Sequence, residues 1–102
     1  MDTPNLETAL AEYIAVLSKS AGDTSRTEDR VTYERHLASA ALMFVAIHGD
    51  DATRLKEIVD GETRNFGWGY LSGEEGAAAE AAWVRFGGIV RSAFAVQEPW
   101  GG

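Results

Sequence analysis

The sequence predicts an all-α fold, a single-domain four-helix bundle formed by residues 1–102. Apolar residues recur every three or four positions in four segments, and short links containing glycine or aspartate separate these segments. No stretch combines alternating polarity with the β-branched enrichment of a strand. Short links favour antiparallel neighbours. We expect helices at about residues 4–20, 25–48, 51–65 and 73–96.

The first helix begins at Thr3 and Pro4, which suit an N-cap and a first helical position. Gly22 is expected to end it, because glycine readily adopts the left-handed conformation found after helix C-termini. One face of this helix is apolar, formed by Leu6, Ala9, Leu10, Tyr13, Ile14, Val16 and Leu17.

The second helix contains the most apolar run of the chain, residues 37–47. Ser25 and Glu28 form a capping-box pattern at its start, and Gly49 follows its end. We expect this helix to be central, because its apolar positions leave only a narrow polar strip, which includes His36. The run is shorter than the roughly 20 apolar residues that a bilayer requires.

The second helix carries two apolar sectors. One contains Tyr33, Leu37, Ala40, Ala41, Phe44 and Ile47, and the other contains Val31, Ala38, Leu42 and Val45. Both sectors are predicted to be covered, either by the other helices or by a second copy of the chain.

The third helix follows a capping aspartate, Asp50 or Asp51, and buries Leu55. Glu62 is ambiguous, because a helix that continues through Gly61 places this carboxylate on the buried face. The interpretation we favour is a break at Gly61 that leaves Glu62 in solvent. The alternative requires a partner for the buried carboxylate or a raised pKa.

The fourth helix begins with a second capping-box pattern, Ser72 and Glu75, and has a long apolar face that includes Trp83 and Phe86. Gly87 and Gly88 cost roughly 1–2 kcal/mol of helix propensity together, so we expect a kink or a close helix approach there. Residues 97–102 are predicted to be a loose tail.

Composition limits the partners. Nine basic and sixteen acidic residues give a net charge of −7, which opposes binding to nucleic acids and to anionic membranes. The chain has no cysteine and does not start like a secretory signal, so a cytoplasmic location is expected.

The link at residues 66–73 alternates aromatic residues with glycine. It does not match a dinucleotide-binding fingerprint, because no strand precedes it and Glu74 and Glu75 would oppose a pyrophosphate. Trp68 and Tyr70 either cover the end of the bundle or contact a partner or ligand.

No set of residues predicts a catalytic, metal or cofactor site. His36 and His48 are twelve residues apart on one helix, a rise of roughly 18 Å, so they cannot share a metal ion. His48 suits the negative end of the helix dipole, although a role as a general base beside Glu62 is conceivable.

We therefore expect a non-enzymatic protein–protein interaction protein that forms a homodimer through apolar helix surface. The alternative is a module that binds a small apolar or aromatic ligand near the 66–73 loop. Its candidate contacts are Trp68, Tyr70, Trp83 and Phe86, with Glu62 or His48 as the polar group. An enzyme of unidentified chemistry is a third interpretation.

Overall fold

The computed structural model describes residues 3–66 and 71–97, with side chains for residues 3–64 and 71–94. The four helices are α1 (Thr3–Asp23), α2 (Thr27–His48), α3 (Ala52–Phe66) and α4 (Gly73–Gln97). The prediction of an all-α four-helix bundle is confirmed, with boundaries shifted by up to three residues. Gly22 does not end α1, which continues through it. The predicted tail beyond Gln97 lies outside the described residues.

Side-chain contacts between helices show the antiparallel arrangement. His48 at the end of α2 lies 3.2 Å from Glu7 near the start of α1, measured between Nε2 and Oε1. Ser20 near the end of α1 donates a hydrogen bond to the carbonyl oxygen of Glu75 at the start of α4, at 3.0 Å. Around the bundle, α1 packs against α2 and α4, and α3 packs against the same two helices.

The core receives side chains from all four helices. Its largest fully buried members are Tyr13, Tyr33, Phe86, Leu6, Leu10, Leu17, Met43, Ile47, Leu55 and Val90. Tyr13 of α1 stacks on Phe86 of α4, with ring centroids 5.6 Å apart and planes 5° from parallel. This aromatic contact fixes α1 against α4 at the middle of the bundle.

Only one side of α2 is covered by the described part of the chain. Tyr33, Ala40 and Ile47 are buried. By contrast, Val31 and Val45, which we expected to be covered, are 44% and 66% exposed. The helix therefore occupies one corner of the bundle, with its second apolar sector facing outward, and it is not enclosed as the sequence suggested.

The helix ends follow the predictions in part. Gly49 terminates α2, and Asp51 caps α3 by accepting a 3.0 Å hydrogen bond from the backbone N–H of Arg54. The capping box at Ser25 is wrong, because α2 begins one residue later than that motif requires. The N-cap is Arg26, whose N–H donates to the hydroxyl oxygen of Thr24.

Ser72 directly precedes α4, as its predicted capping position requires, and it also bonds to α2. Its backbone N–H and its hydroxyl both donate to Oδ2 of Asp29, at 3.3 and 3.1 Å. Asp29 is buried in the first turn of α2, where it lies 3.8 Å from the guanidinium of Arg26. A carboxylate that leaves water needs such donors. Ser72 thus stabilises Asp29 across the bundle.

The two glycines in the middle of α4 do not mark a close helix approach. An added Cβ at Gly88 would meet no heavy atom within 4 Å, whereas one at Gly76 would lie 2.7 Å from the carbonyl carbon of Leu71. The structural requirement for glycine thus lies at the start of α4, where the chain enters the helix.

We expect Gly88→Ala to raise the free energy of unfolding by about 0.5–1 kcal/mol, because alanine loses less backbone entropy on folding. Gly76→Ala should lower it by about 1–3 kcal/mol, since the methyl group must displace backbone atoms. Urea denaturation of both variants measures the difference. A destabilising Gly88→Ala would contradict the open surroundings of that position.

Candidate functional site

The first candidate site is an exposed apolar surface on α2. We define the outer α2 face by Val31, Ala38, Ala41, Leu42 and Val45, all of which are exposed. Leu42 is 51% exposed, so the face contains three large apolar side chains in water together with two small ones. Large apolar residues gathered on one surface are typical of sites that another molecule covers.

The outer α2 face is uncharged along most of its length. No residue between 37 and 47 carries a charge. Glu34 and Arg35 lie between Val31 and Ala38, and His48 and Asp50 lie beyond the other end of the face, all exposed. Apolar surface bounded by both signs of charge resembles the core and rim of a protein–protein interface.

The spacing along this face follows a seven-residue repeat. Val31, Ala38 and Val45 are seven residues apart, and Ala41 and His48 continue a second series at the same interval. Two such series form the seam of a two-helix coiled coil. Leu37 and Phe44 border the seam on the side of α1, with Phe44 47% exposed. The outer α2 face therefore has the pattern of a helix that pairs with another helix.

The second candidate site is a buried polar pair between α2 and α3. Nδ1 of His36 contacts Oε2 of Glu62, and these two residues are only 4% and 7% exposed. The break favoured at Gly61 is wrong, because α3 continues through Gly61 to Phe66. The alternative interpretation is the correct one: Glu62 is buried and has a partner. His36, which the sequence placed on a polar strip, supplies that partner.

Tyr13 adds a third polar group to this part of the core. Its hydroxyl oxygen is buried and has no hydrogen-bond partner among the described residues. Burial raises the pKa of Tyr13 well above its ordinary value, and the negative charge of Glu62 raises it further. The phenol therefore remains neutral in the folded protein under conditions in which a solvated tyrosine would ionise.

We expect the stability of the protein to fall as the pH rises above about 10, because unfolded Tyr13 releases a proton that the folded chain retains. One such group contributes a slope of about 1.4 kcal/mol per pH unit above its unfolded pKa. Tyr13→Phe should reduce this slope. It should not weaken the protein at pH 7, because the lost hydroxyl makes no protein hydrogen bond. Urea denaturation between pH 7 and pH 11 measures the alkaline slope and the stability at pH 7. An alkaline slope that Tyr13→Phe leaves unchanged would contradict the prediction.

The structure brings together only some of the residues that the sequence suggested as a ligand site. Trp83 and Phe86 are buried in the core and contact Tyr13, with ring centroids 5.3 Å apart for Trp83. Glu62 acts on the same tyrosine, so these three candidates do come together around Tyr13. Trp68 and Tyr70 lie outside the described residues.

His48 belongs to a different location. Its imidazole is half exposed, lies against the ring of Phe44 at a centroid distance of 4.2 Å, and pairs with Glu7. The interpretation that His48 acts beside Glu62 is wrong, because the carboxylate of Glu62 meets His36 instead.

Two further features are absent from the part of the chain that the structure describes. No group of three or more histidine, aspartate or glutamate side chains there is placed to hold a metal ion. None of the described helices combines the length and the apolar character needed to cross a membrane.

No protein-family model, no curated protein and no solved structure matches this chain. The outer α2 face and the His36–Glu62 pair are therefore the features that bear on function.

Proposed function

We propose that this chain is a non-enzymatic protein–protein interaction protein that self-associates as a homodimer through the outer α2 face. The observation that carries the proposal is the exposure of Val31, Leu42 and Val45 on one helix surface, which carries no charge between residues 37 and 47. A side chain of this size contributes about 1.5–3 kcal/mol when it is fully transferred from water to an apolar environment. Covering the face is thus favourable.

A second copy of the chain is the partner that best suits this face. The protein carries a net charge of −7, so most of its surface repels an identical molecule, but the outer α2 face carries no charge between residues 37 and 47. A two-fold dimer brings the same patch of each protomer together, so a self-complementary apolar strip is sufficient. The proposal includes neither a nucleic acid nor a membrane partner, for which the acidic composition is unfavourable. It retains a cytoplasmic location, with which the absence of cysteine is compatible.

The buried His36–Glu62 pair has a structural role in this proposal. Both groups are closed off by the core and lie on the side of α2 opposite the outer face. They position α3 against α2, which leaves the opposite side of α2 for the partner.

We expect Val45→Lys to raise the dissociation constant of the dimer at least about tenfold, because each protomer loses about 1 kcal/mol or more of apolar burial and gains a charge to desolvate. Sedimentation equilibrium across a concentration series measures this constant. The wild-type chain should approach twice its monomer mass of 11.0 kDa.

Val84→Lys is the matched control. Val84 is 65% exposed on α4, close to the 66% of Val45, but it lies off the outer α2 face. This variant should dimerise like the wild type. A wild-type chain that remains a monomer at every concentration would overturn the proposal, and so would equal weakening by the two substitutions.

A further inference from the structure

We infer that the two α2 helices of the dimer run antiparallel and cross at Ala38 and Ala41. This inference rests on the proposed self-association and adds the arrangement of the partner. Alanine side chains at the crossing allow two helix backbones to approach closely, since little volume separates them. The larger side chains Val31 and Val45 lie on either side of the crossing.

The two seven-residue series determine which residues meet. The first series is Val31, Ala38 and Val45, and the second is Glu34, Ala41 and His48. Arg30 and Arg35 border the seam on opposite sides near its start. The choice between parallel and antiparallel pairing therefore decides the neighbours of the charged residues at both ends.

Parallel pairing is electrostatically unfavourable. It places Glu34 opposite Glu34 of the partner subunit, because equivalent seam positions meet in a parallel pair. Like charges that face each other in this way are destabilising.

Antiparallel pairing of the same two helices removes this repulsion between like charges. Each residue of the first series then meets one of the second: Val31 meets His48 of the partner subunit, and Ala38 meets Ala41 of the partner subunit. Glu34 meets Val45 of the partner subunit and lies within one turn of the partner's His48. The ends of the seam thus bring unlike groups together.

The borders of the seam also become complementary. Arg30 stays outside this contact, because its guanidinium donates to the carbonyl oxygens of Ala21 and Thr24. Leu37 faces the partner's Phe44, and the aliphatic part of Arg35 covers the partner's Leu42. These contacts extend the apolar surface that the two helices bury.

Single-cysteine variants test the orientation, because the natural chain has no cysteine. Val31→Cys and His48→Cys are purified separately, mixed under reducing conditions and then oxidised in a glutathione buffer. A disulfide requires Cα atoms about 4.4–6.8 Å apart, whereas positions 31 and 48 are separated by about 25 Å along one helix. Non-reducing gels and peptide mass spectrometry identify each linked pair, with Val84→Cys as the control for random collision.

The antiparallel arrangement predicts a disulfide between positions 31 and 48 in the mixture. It predicts no cross-link above the control in either variant alone. Links from 31 to 31 and from 48 to 48 would overturn the antiparallel orientation and leave the dimer intact. Cross-linking no greater than that of Val84→Cys would also overturn it. Sedimentation of the wild-type chain then separates the two failures: a dimer retains the proposed function, whereas a monomer removes both.

Discussion

Replacing Glu62 with leucine is expected to lower the free energy of unfolding by about 3 kcal/mol or more, because it removes one partner of a buried polar contact. The reason is the surroundings of His36, which is buried and meets the carboxylate through Nδ1. Leucine supplies no acceptor, so the imidazole loses this interaction without regaining water. Urea denaturation at pH 7 measures the change.

The double variant His36→Leu/Glu62→Leu is the control for this result. Apolar replacement of both partners removes the desolvation cost together with the contact, so we expect most of the lost stability to return. The coupling free energy from the double-mutant cycle should be at least 1 kcal/mol. If the two single changes simply add, His36 and Glu62 do not interact as the structure describes. The mass of the dimer measures self-association separately from folding in these variants, because the His36–Glu62 pair lies away from the outer α2 face.

Phe86→Ala should be similarly destabilising, by about 3–5 kcal/mol, because it removes a buried aromatic side chain and leaves a cavity. Phe86 stacks on Tyr13 and contacts Trp83 at a centroid distance of 5.9 Å, so the cavity would open in the aromatic part of the core. Thermal unfolding followed by circular dichroism measures this loss.

Val84→Ala is the matched control on the same helix. Its side chain is mostly in water, so the change should remain within about 0.5 kcal/mol. The comparison also tests the ligand-binding alternative. A residue that lines an open pocket contributes little to folding, so a small effect of Phe86→Ala would favour a pocket around Trp83 and Phe86 over a packed core.

The four helices could be predicted because each carries its apolar residues at helical spacing over three or more turns. The position of Glu62 could not be predicted in the same way. Gly61 has a local propensity cost of about 1 kcal/mol, which favoured a helix end. The compensating contact comes from His36, 26 residues away along the chain, and a single sequence does not show that these two side chains meet.

The two apolar sectors of α2 show a similar limit. Periodicity separated Val31 from Tyr33, but it grouped Ala41 with Tyr33, although Ala41 is exposed on the outer α2 face. Which sector faces the core depends on the neighbouring helices, because they pack on only one side of α2. The sequence therefore predicted surplus apolar surface without showing that Val31, Leu42 and Val45 form it.

The contact between Asp29 and Ser72 has a consequence for the cooperativity of the fold. The chain consists of two consecutive helical hairpins, α1 with α2 and α3 with α4, and each could in principle open as a unit. Asp29 belongs to the first hairpin, and both donors from Ser72 belong to the second. Separation of the hairpins would leave a buried carboxylate without these donors until water reached it. Asp29 therefore adds to the contacts that couple the opening of the two halves, such as that of Ser20 with Glu75.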